Sequence, residues 1–225
     1  MKARQIVYTG DGSTSLFVPE WNEHYHSTHG AIQEAYHVFI QNGLFYFDKK
    51  KLRILEIGLG TGLNCFISFL EAKKNNYDIA YTGVEAYPIT REEYRQLNYV
   101  ERLEAKSYQS VFEFIHTSDW HKKITLADNF TLIKRAITFQ NITCKNSFDL
   151  IYFDAFAPGV QPELWTESIF KKMYDALSPG GVLVTYSAKG SVRRTMQSLG
   201  FQVEKLPGPP GKREMLRAIK SKKTD

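Results

Sequence analysis

Three short segments carry side chains and glycines that could bind and activate a small ligand. The first is Glu56-Ile57-Gly58-Leu59-Gly60-Thr61-Gly62, in which glycine recurs at every second position. Glycine lets a backbone turn sharply and approach a ligand without a Cβ clash. The spacing differs from the GxGxxG pattern of dinucleotide loops, and the segment lacks the lysine of a Walker loop. The acidic Glu56 would repel a pyrophosphate and would suit a ligand that carries an ammonium and a sulfonium.

Two carboxylates, Glu85 and Asp154, supply the other two signals, because each follows a predicted strand. A carboxylate at the position of Glu85 can accept hydrogen bonds from both hydroxyls of a ribose. Asp154 follows the apolar run 148–153 directly, and ligands of open α/β sheets lie off the carboxyl ends of the strands. We therefore expect both carboxylates to face one cleft. The alternatives are a surface charge for Glu85 and a turn cap for Asp154.

Alternating hydrophobic patterns indicate the elements that position these groups. Strands are predicted at 52–57, 79–85, 148–153 and 182–186, and helices at 30–41, 64–74, from Thr90 to 98, 162–177 and 191–199. Hairpins are predicted at 5–20 and at 201–206 with 214–219, and an inserted hairpin within 119–142. Strands that alternate with helices imply an α/β, Rossmann-like fold, with a mostly parallel sheet covered by helices on both faces. We expect one domain over residues 1–225, with 1–45 as an N-terminal extension that packs on it.

Composition and residue spacing restrict the classes of protein to which this chain can belong. The net charge is +5 and no run approaches about 18 apolar residues, so a polyanionic partner is permitted and no membrane span is expected. The start, residues 1–5, lacks an apolar signal core, so we expect a cytoplasmic protein. Cys65 and Cys144 form no CxxC pair, and the spacing of His24, His26 and His29 matches no metal motif. We therefore expect no metal, and expect Cys65 to pack behind the glycine loop.

Several segments resemble one enzyme family through nearly the whole chain. Residues 56–62, Glu85, 148–154 and 177–181 resemble the class I S-adenosylmethionine methyltransferases. More narrowly, the chain resembles the tRNA wobble-uridine methyltransferase family, which occurs as the methyltransferase half of MnmC-type bifunctional enzymes and alone as MnmD. This narrower resemblance is carried by residues 26–34, 38–43, 56–64, 154–158, 162–165, 187–194 and 211–216.

The resemblance implies S-adenosyl-L-methionine as the cofactor. Together with the motifs above, it predicts a set of cofactor-binding residues: Glu34, Glu56, Gly58, Gly60, Gly62, Asn64, Glu85, Thr138 and Asp154. The family usually places an aspartate after the third strand to hold the adenine amino group, and Thr138 occupies that place here. A hydroxyl or a backbone carbonyl there could still accept the adenine hydrogen bond.

The resemblance also implies tRNA as the partner. The expected reaction converts 5-aminomethyl-2-thiouridine at position 34 to its methylaminomethyl form, with Asp154 orienting the amine as the catalytic residue. A separate enzyme is expected to make the amine, as an FAD-dependent oxidase domain does in the bifunctional relatives. Tyr25, Phe156 and Trp165 are candidates to shape the site or stack on the uracil, with core packing as the alternative. The candidates for RNA phosphate contacts, with a solvated surface as the alternative, are Lys189, Arg193, Arg194, Lys212 and Arg213.

Two other functions remain open from the sequence. The first is a polyamine synthase-like aminopropyltransferase, since residues 148–181 would suit that fold as well, although no paired-aspartate site for a polyamine is evident. The second is a non-catalytic RNA-binding protein on a methyltransferase fold, which the missing adenine acid would support. The three glycines and Asp154 speak against the second alternative.

Overall fold

The structure is a computed structural model that describes residues 3–222. Residues 1–2 and 223–225 lie outside the described residues. They include the beginning of the segment 1–5, which was predicted to lack a signal core, and both ends of the predicted domain 1–225. The strands are β1 Gln5–Tyr8, β2 Thr14–Val18, β3 Glu23–His24, β4 Lys51–Ile57, β5 Asp78–Val84, β6 Lys123–Ala127, β7 Phe130–Arg135, β8 Phe148–Phe153, β9 Leu177–Thr185, β10 Phe201–Pro207 and β11 Glu214–Lys220. The α-helices are α1 Ala31–Ala35, α2 Leu63–Asn75, α3 Arg91–Tyr94, α4 Tyr99–Arg102, α5 Gln109–Thr117, α6 Glu167–Ala176 and α7 Gly190–Ser198.

An eight-stranded sheet in the order β10-β11-β9-β8-β4-β5-β7-β6 forms the centre of the fold. The five strands from β9 to β7 pair in parallel, and β6, β11 and β10 add antiparallel edges. This arrangement confirms the predicted α/β fold with its closing hairpin. The predicted inserted hairpin is wrong in one respect. It forms as β6 and β7, but β7 pairs in parallel with β5 and is therefore an inner strand of the main sheet.

Both faces of the sheet are buried, which explains the nearly continuous apolar runs of its inner strands. On β4, Ile54 packs in one core cluster with Phe66 of α2, and Leu55 packs in the other with Phe170 of α6. Cys65 is fully buried in the first cluster, which confirms its predicted packing. Among residues 3–222, no helix is both long enough and apolar enough to cross a membrane.

Several predicted helices differ in their bounds. The capping box of Thr90 and Glu93 is confirmed, but the helix it starts ends at Tyr94, before α4 begins at Tyr99. The predicted helix 162–177 divides into a 3-10 turn, Pro162–Trp165, and α6, because Thr166 has an extended backbone. The predicted helix 30–41 is α1 followed by a π-helical segment, Tyr36–Gln41.

A small sheet, β1-β2-β3, carries the N-terminal segment onto the carboxyl edge of the large sheet. Its β1–β2 hairpin confirms the prediction for residues 5–20. The Asn98 side chain binds this hairpin, because its Oδ1 accepts from the backbone N–H of Thr14 at 2.8 Å and its Nδ2 donates to the Gly12 carbonyl at 2.9 Å. The segment that follows β3 is thereby placed beside the glycine loop, where Tyr25 approaches Gly60.

Candidate functional site

A cavity of about 650 Å³ opens at the carboxyl edge of the large sheet. Its walls come from the segments that follow β4, β5, β7 and β8, together with the N-terminal segment. Of the predicted site residues, those that line it are Gly58, Gly60, Asn64, Glu85, Thr138, Asp154, Tyr25 and Phe156. The volume lies within the range of about 300–1,000 Å³ that small-molecule sites occupy.

The glycine loop forms one wall of the cavity. Gly58 and Gly60 have φ of +87° and +49°, in the left-handed region that favours glycine. A Cβ on Gly58 would lie 2.5 Å from the carbonyl oxygen of Asp154, so the loop and the end of β8 approach as closely as backbones can. Gly62 is placed differently, since it begins α2 and faces the His116 ring rather than the cavity.

Glu85 holds the loop from the neighbouring strand. Its Oε2 accepts the backbone N–H of Gly60 at 3.0 Å, and its Oε1 accepts the backbone N–H of Tyr87 at 2.8 Å. A carboxylate has about four acceptor positions, so two remain for a ligand. Arg4 fixes the same segment, because it donates to the Tyr87 carbonyl at 2.8 Å and forms a 3.0 Å ion pair with Glu93.

Asp154 lies at the end of β8 and faces the cavity beside Asn64. The Asn64 Nδ2 donates to Asp154 Oδ2 at 2.8 Å, while the buried Oδ1 of Asn64 has no protein partner. Burial, and then the negative charge of Glu34, raise the pKa of Asp154 to about 7, against the opposing Asn64 hydrogen bond and Lys212 charge. A carboxyl with a pKa near neutrality can exchange a proton under physiological conditions.

Two acids predicted to bind the cofactor lie behind the cavity wall instead. Glu56 is fully buried and accepts a 2.8 Å hydrogen bond from the Tyr81 hydroxyl. Burial raises its pKa well above the usual value, and its side chain packs in the core instead of facing a ligand in the cavity. Glu34 accepts the backbone N–H of Ser27 at 2.8 Å and forms an ion pair with Lys212.

The aromatic candidates separate into two groups. Tyr25 and Phe156 line the cavity and contact each other edge to face, with ring centroids 4.9 Å apart. Trp165 is buried against Phe153, is absent from the lining among the described residues, and donates its indole N–H to the Phe156 carbonyl at 2.7 Å. Trp165 therefore supports the wall from behind, as its core-packing alternative predicted.

The lysines and arginines predicted to contact RNA differ in their exposure and pairing. Lys189, Arg194 and Arg213 are exposed, and Arg193 is half-buried beside them. Arg193 and Arg213 both act on Glu214, whose pKa is lowered mainly by its hydrogen bond from Lys205. Lys212 is placed differently from the expectation, because its ammonium is paired with Glu34 and lies 3.9 Å from the centroid of the Tyr186 ring.

The sequence analysis missed several cavity residues as ligand contacts, among them Arg4, His26 and Gln140. His26 was considered only as a metal ligand, yet its Nδ1 lies 2.9 Å from Ser15 Oγ and its Nε2 lies 3.3 Å from Thr61 Oγ1. Burial lowers the pKa of His26 to about 4, so the ring is neutral at physiological pH. Within residues 3–222, no group of three or more His, Cys, Asp or Glu side chains could hold a metal ion.

Comparison with known proteins gives consistent matches. The profile of a family described as S-adenosyl-L-methionine-dependent methyltransferase matches residues 96–221. A Cupriavidus metallidurans protein named tRNA 5-methylaminomethyl-2-thiouridine biosynthesis bifunctional protein MnmC is 27% identical over 237 residues, which cover 96% of this chain and 34% of the relative. A Ralstonia nicotianae protein of the same name is 29% identical over 212 residues, which cover 88% of this chain and 32% of the relative. The chain thus spans about a third of the length of these curated relatives.

Solved structures show the same fold. The crystal structure of MNMC2 from Aquifex aeolicus superposes with a TM-score of 0.79 at 24% identity, covering all of this chain and 72% of that one. Spermidine synthase from Thermotoga maritima superposes with a TM-score of 0.53 at 15% identity, covering 98% of this chain and 74% of that one. At these identities the two likenesses establish the fold alone.

Proposed function

The chain belongs to the S-adenosyl-L-methionine-dependent methyltransferase family, and from that premise we propose that it methylates the aminomethyl nitrogen of 5-aminomethyl-2-thiouridine at wobble position 34 of tRNA. The names of the two relatives, which specify biosynthesis of the methylaminomethyl nucleoside, support this substrate. The observation that carries the proposal is the placement of Asp154, an acid with a pKa of about 7, at the end of the cavity beside the glycine loop.

The residues present fit the cofactor. A Cβ at Gly58 would meet the Asp154 carbonyl at 2.5 Å and one at Gly60 would meet the Tyr25 ring at 3.3 Å, so the two glycines let the loop lie along the cavity wall. Glu85 has acceptor positions left for ribose hydroxyls. Asn64 lines the cavity, and its Nδ2 donates to Asp154 Oδ2 at 2.8 Å, which fixes that carboxyl at the reactive end.

The strand order sets the direction in which the cofactor would lie. Along the sheet edge the order β8-β4-β5-β7 places Asp154, the glycine loop, Glu85 and then Thr138 in succession. With the ribose at Glu85, the adenine would lie towards Thr138 and the reactive end towards Asp154. Gln140 lies beside Thr138, and its carboxamide offers both an acceptor and a donor that match an adenine edge.

Asp154 has a defined task in this arrangement. When bound, S-adenosylmethionine supplies a methyl group on a positively charged sulfur, which a neutral amine can displace. The substrate amine is mostly protonated at neutral pH, so it must first release a proton to solvent before its lone pair can react. The Asp154 carboxylate accepts an N–H of the amine, orients the nitrogen and stabilises the positive charge that forms there. Tyr25 and Phe156 supply rings against which a uracil base can stack.

The proposal extends to the cellular context. A tRNA substrate implies a cytoplasmic protein, and a separate enzyme would supply the aminomethyl group. We also infer that residues 1–45 belong to the methyltransferase domain, because Arg4, Tyr25 and His26 line its cavity.

The test is direct assay of the reaction. Purified protein is incubated with S-adenosylmethionine and tRNA that carries 5-aminomethyl-2-thiouridine, and the nucleosides are analysed by mass spectrometry. We expect the aminomethyl nucleoside to be converted to its monomethyl product, and tRNA with unmodified uridine at this position to remain unchanged. Transfer of an aminopropyl group from the decarboxylated cofactor, without methyl transfer, would favour the aminopropyltransferase alternative and contradict the proposal.

A further inference from the structure

We propose that Lys212 is a positioning residue for Asp154. Its ammonium balances the charge of Glu34 beside the reactive carboxyl and does not bind an RNA phosphate. The inference deepens the proposed function and rests on its assignment of Asp154. It assigns a role to the Glu34–Lys212 ion pair, which lies behind the cavity wall and which the reaction as described above does not use.

The placement of the Lys212 ammonium is specified by two partners. Its ammonium donates to Oε1 of Glu34, and its side chain is about one-third exposed while that of Glu34 is 9% exposed. The same ammonium lies over the Tyr186 ring, 3.9 Å from the centroid. Cation–π contacts extend to about 6 Å. Two partners thus hold the charge on the inner side of the β10–β11 loop.

The Tyr186 ring connects this pair to the end of β8. Its hydroxyl donates a 2.8 Å hydrogen bond to the carbonyl of Ala155, the residue after Asp154. Burial is the largest cause of the raised pKa of Asp154; beside it, the Glu34 charge raises this pKa further and the Lys212 charge lowers it. The two members of the ion pair therefore act on one carboxyl in opposite directions.

Among the described residues, the charges that act on the Asp154 carboxyl come from Glu34 and Lys212. Asn64 of α2 is a neutral donor. Burial lowers the pKa of His26 to about 4 and raises that of Tyr186 well above its usual value, so both are neutral near pH 7. Burial also raises the pKa of Glu56 on β4 well above its usual value. The pKa of Asp154 thus depends on the balance between the negative charge of Glu34 on α1 and the positive charge of Lys212 in the β10–β11 loop.

The same geometry argues against a phosphate contact. The Lys212 ammonium is already engaged by a buried carboxylate, so an RNA phosphate would have to share it with Glu34 or separate the pair. Separating the pair would leave Glu34 as an unpaired buried charge, which is strongly unfavourable. The neighbouring Arg213 is exposed and has no such obstacle.

The test titrates Asp154 directly in the full chain without cofactor or tRNA. Protein is labelled with ¹³Cγ-aspartate, and the Asp154 signal is identified by its loss in Asp154→Asn. We expect Lys212→Met to raise the titration midpoint and Glu34→Gln to lower it, each by about threefold or more in proton affinity. The double variant should return towards the parent, because the local charge is balanced again. Lys205→Met, which removes a lysine of the same hairpin paired with Glu214, should leave the midpoint unchanged.

Shifts of equal sign in Lys212→Met and Glu34→Gln, or no shift in either, would overturn the proposal. If Lys212→Met does not fold, the difference between Glu34→Gln and the double variant gives the effect of Lys212 instead. A second arm measures tRNA binding against salt concentration, where Lys212→Met should keep the parent slope. A slope reduced by about one phosphate contact would assign Lys212 to RNA and contradict us. Because the titration needs no substrate, it remains readable even if the proposed tRNA methylation is not observed.

Discussion

The backbone N–H of Gly60 donates a 3.0 Å hydrogen bond to Oε2 of Glu85, and so joins the loop after β4 to the carboxylate after β5. The same carboxylate accepts the N–H of Tyr87 through Oε1. Glu85 therefore shapes the glycine loop. In the proposed function its remaining acceptor positions would also take ribose hydroxyls, so loop geometry and ribose recognition would depend on one side chain.

We expect Glu85→Ala to weaken binding of S-adenosylhomocysteine by about 1.5–3 kcal/mol, because charge-assisted hydrogen bonds to the ligand and the support of the loop are lost together. Isothermal titration calorimetry measures the effect. Glu92→Ala, which changes an exposed acid on α3, is the matched control and should bind as the parent does. A change of less than about twofold in Glu85→Ala would show that Glu85 does not contact the ligand.

Asp154→Ala should slow methyl transfer in a single turnover by roughly 10²–10⁴, the range for a positioned proton acceptor or charge stabiliser. Cofactor affinity should stay close to the parent value, because Gly58, Gly60 and Glu85 are unchanged. Asp154→Asn separates two roles: a rate near the parent indicates orientation by hydrogen bonding, and a rate as slow as Ala indicates that charge or basicity is needed. Parent rates in both variants would exclude Asp154 from the chemistry, and Asp175→Asn on α6 is the control.

The raised pKa of Asp154 makes stability depend on pH. The folded protein holds a proton on this group up to about pH 7, whereas the unfolded chain releases it near the ordinary value of 3.8. Stability from this group is therefore fully present below 3.8 and declines as the pH rises towards 7. Asp154→Asn, which cannot ionise, should be more stable than the parent by up to about 4 kcal/mol at pH 8 and nearly equal to it at pH 4. Urea unfolding at the two pH values measures this difference, and equal stabilities at pH 8 would contradict the buried, ionising carboxyl.

Gln140→Ala should weaken binding of S-adenosylhomocysteine by about 0.5–1.5 kcal/mol, the net value of a neutral hydrogen bond. The parent should prefer the adenine ligand over its hypoxanthine analogue, since the latter lacks the amino donor, and the variant should lose this preference. Calorimetry with both ligands gives the comparison, with Gln96→Ala as an exposed control. If the variant keeps the preference for the adenine ligand, Gln140 does not recognise the adenine, and Thr138 or the backbone must do so.

Arg194→Ala and Arg213→Ala should each weaken tRNA binding and reduce the slope of log affinity against log salt by about one phosphate contact. Both guanidinium groups are exposed on the side of the fold formed by α7 and the β10–β11 loop. Affinity for S-adenosylhomocysteine should not change. Lys171→Ala on α6 removes an exposed cation elsewhere and serves as the reference. Unchanged slopes in both arginine variants would place the RNA on another face.

The sequence by itself determined the parts of the site that depend on local pattern. A glycine-rich turn after an apolar strand, and an acid after each of two others, predicted the positions of Gly58, Gly60, Glu85 and Asp154. The structure places these four residues at one cavity, because a strand end and a turn are specified by neighbours in the chain. The parallel sheet then brings the strand ends to one edge whatever the details of packing.

The tertiary structure decided what local pattern could not. Inner strands that are buried on both faces show no alternation, so the direction of Glu56 could not be predicted, and it points into the core. Lys212 looked like its exposed neighbour Arg213 in the sequence, and only the approach of α1 to the β10–β11 loop pairs it with Glu34. Arg4 and His26 reach the cavity because the small N-terminal sheet folds over the large one. Contacts between segments distant in the chain carry no periodic signal, since they depend on which surfaces meet when the elements pack.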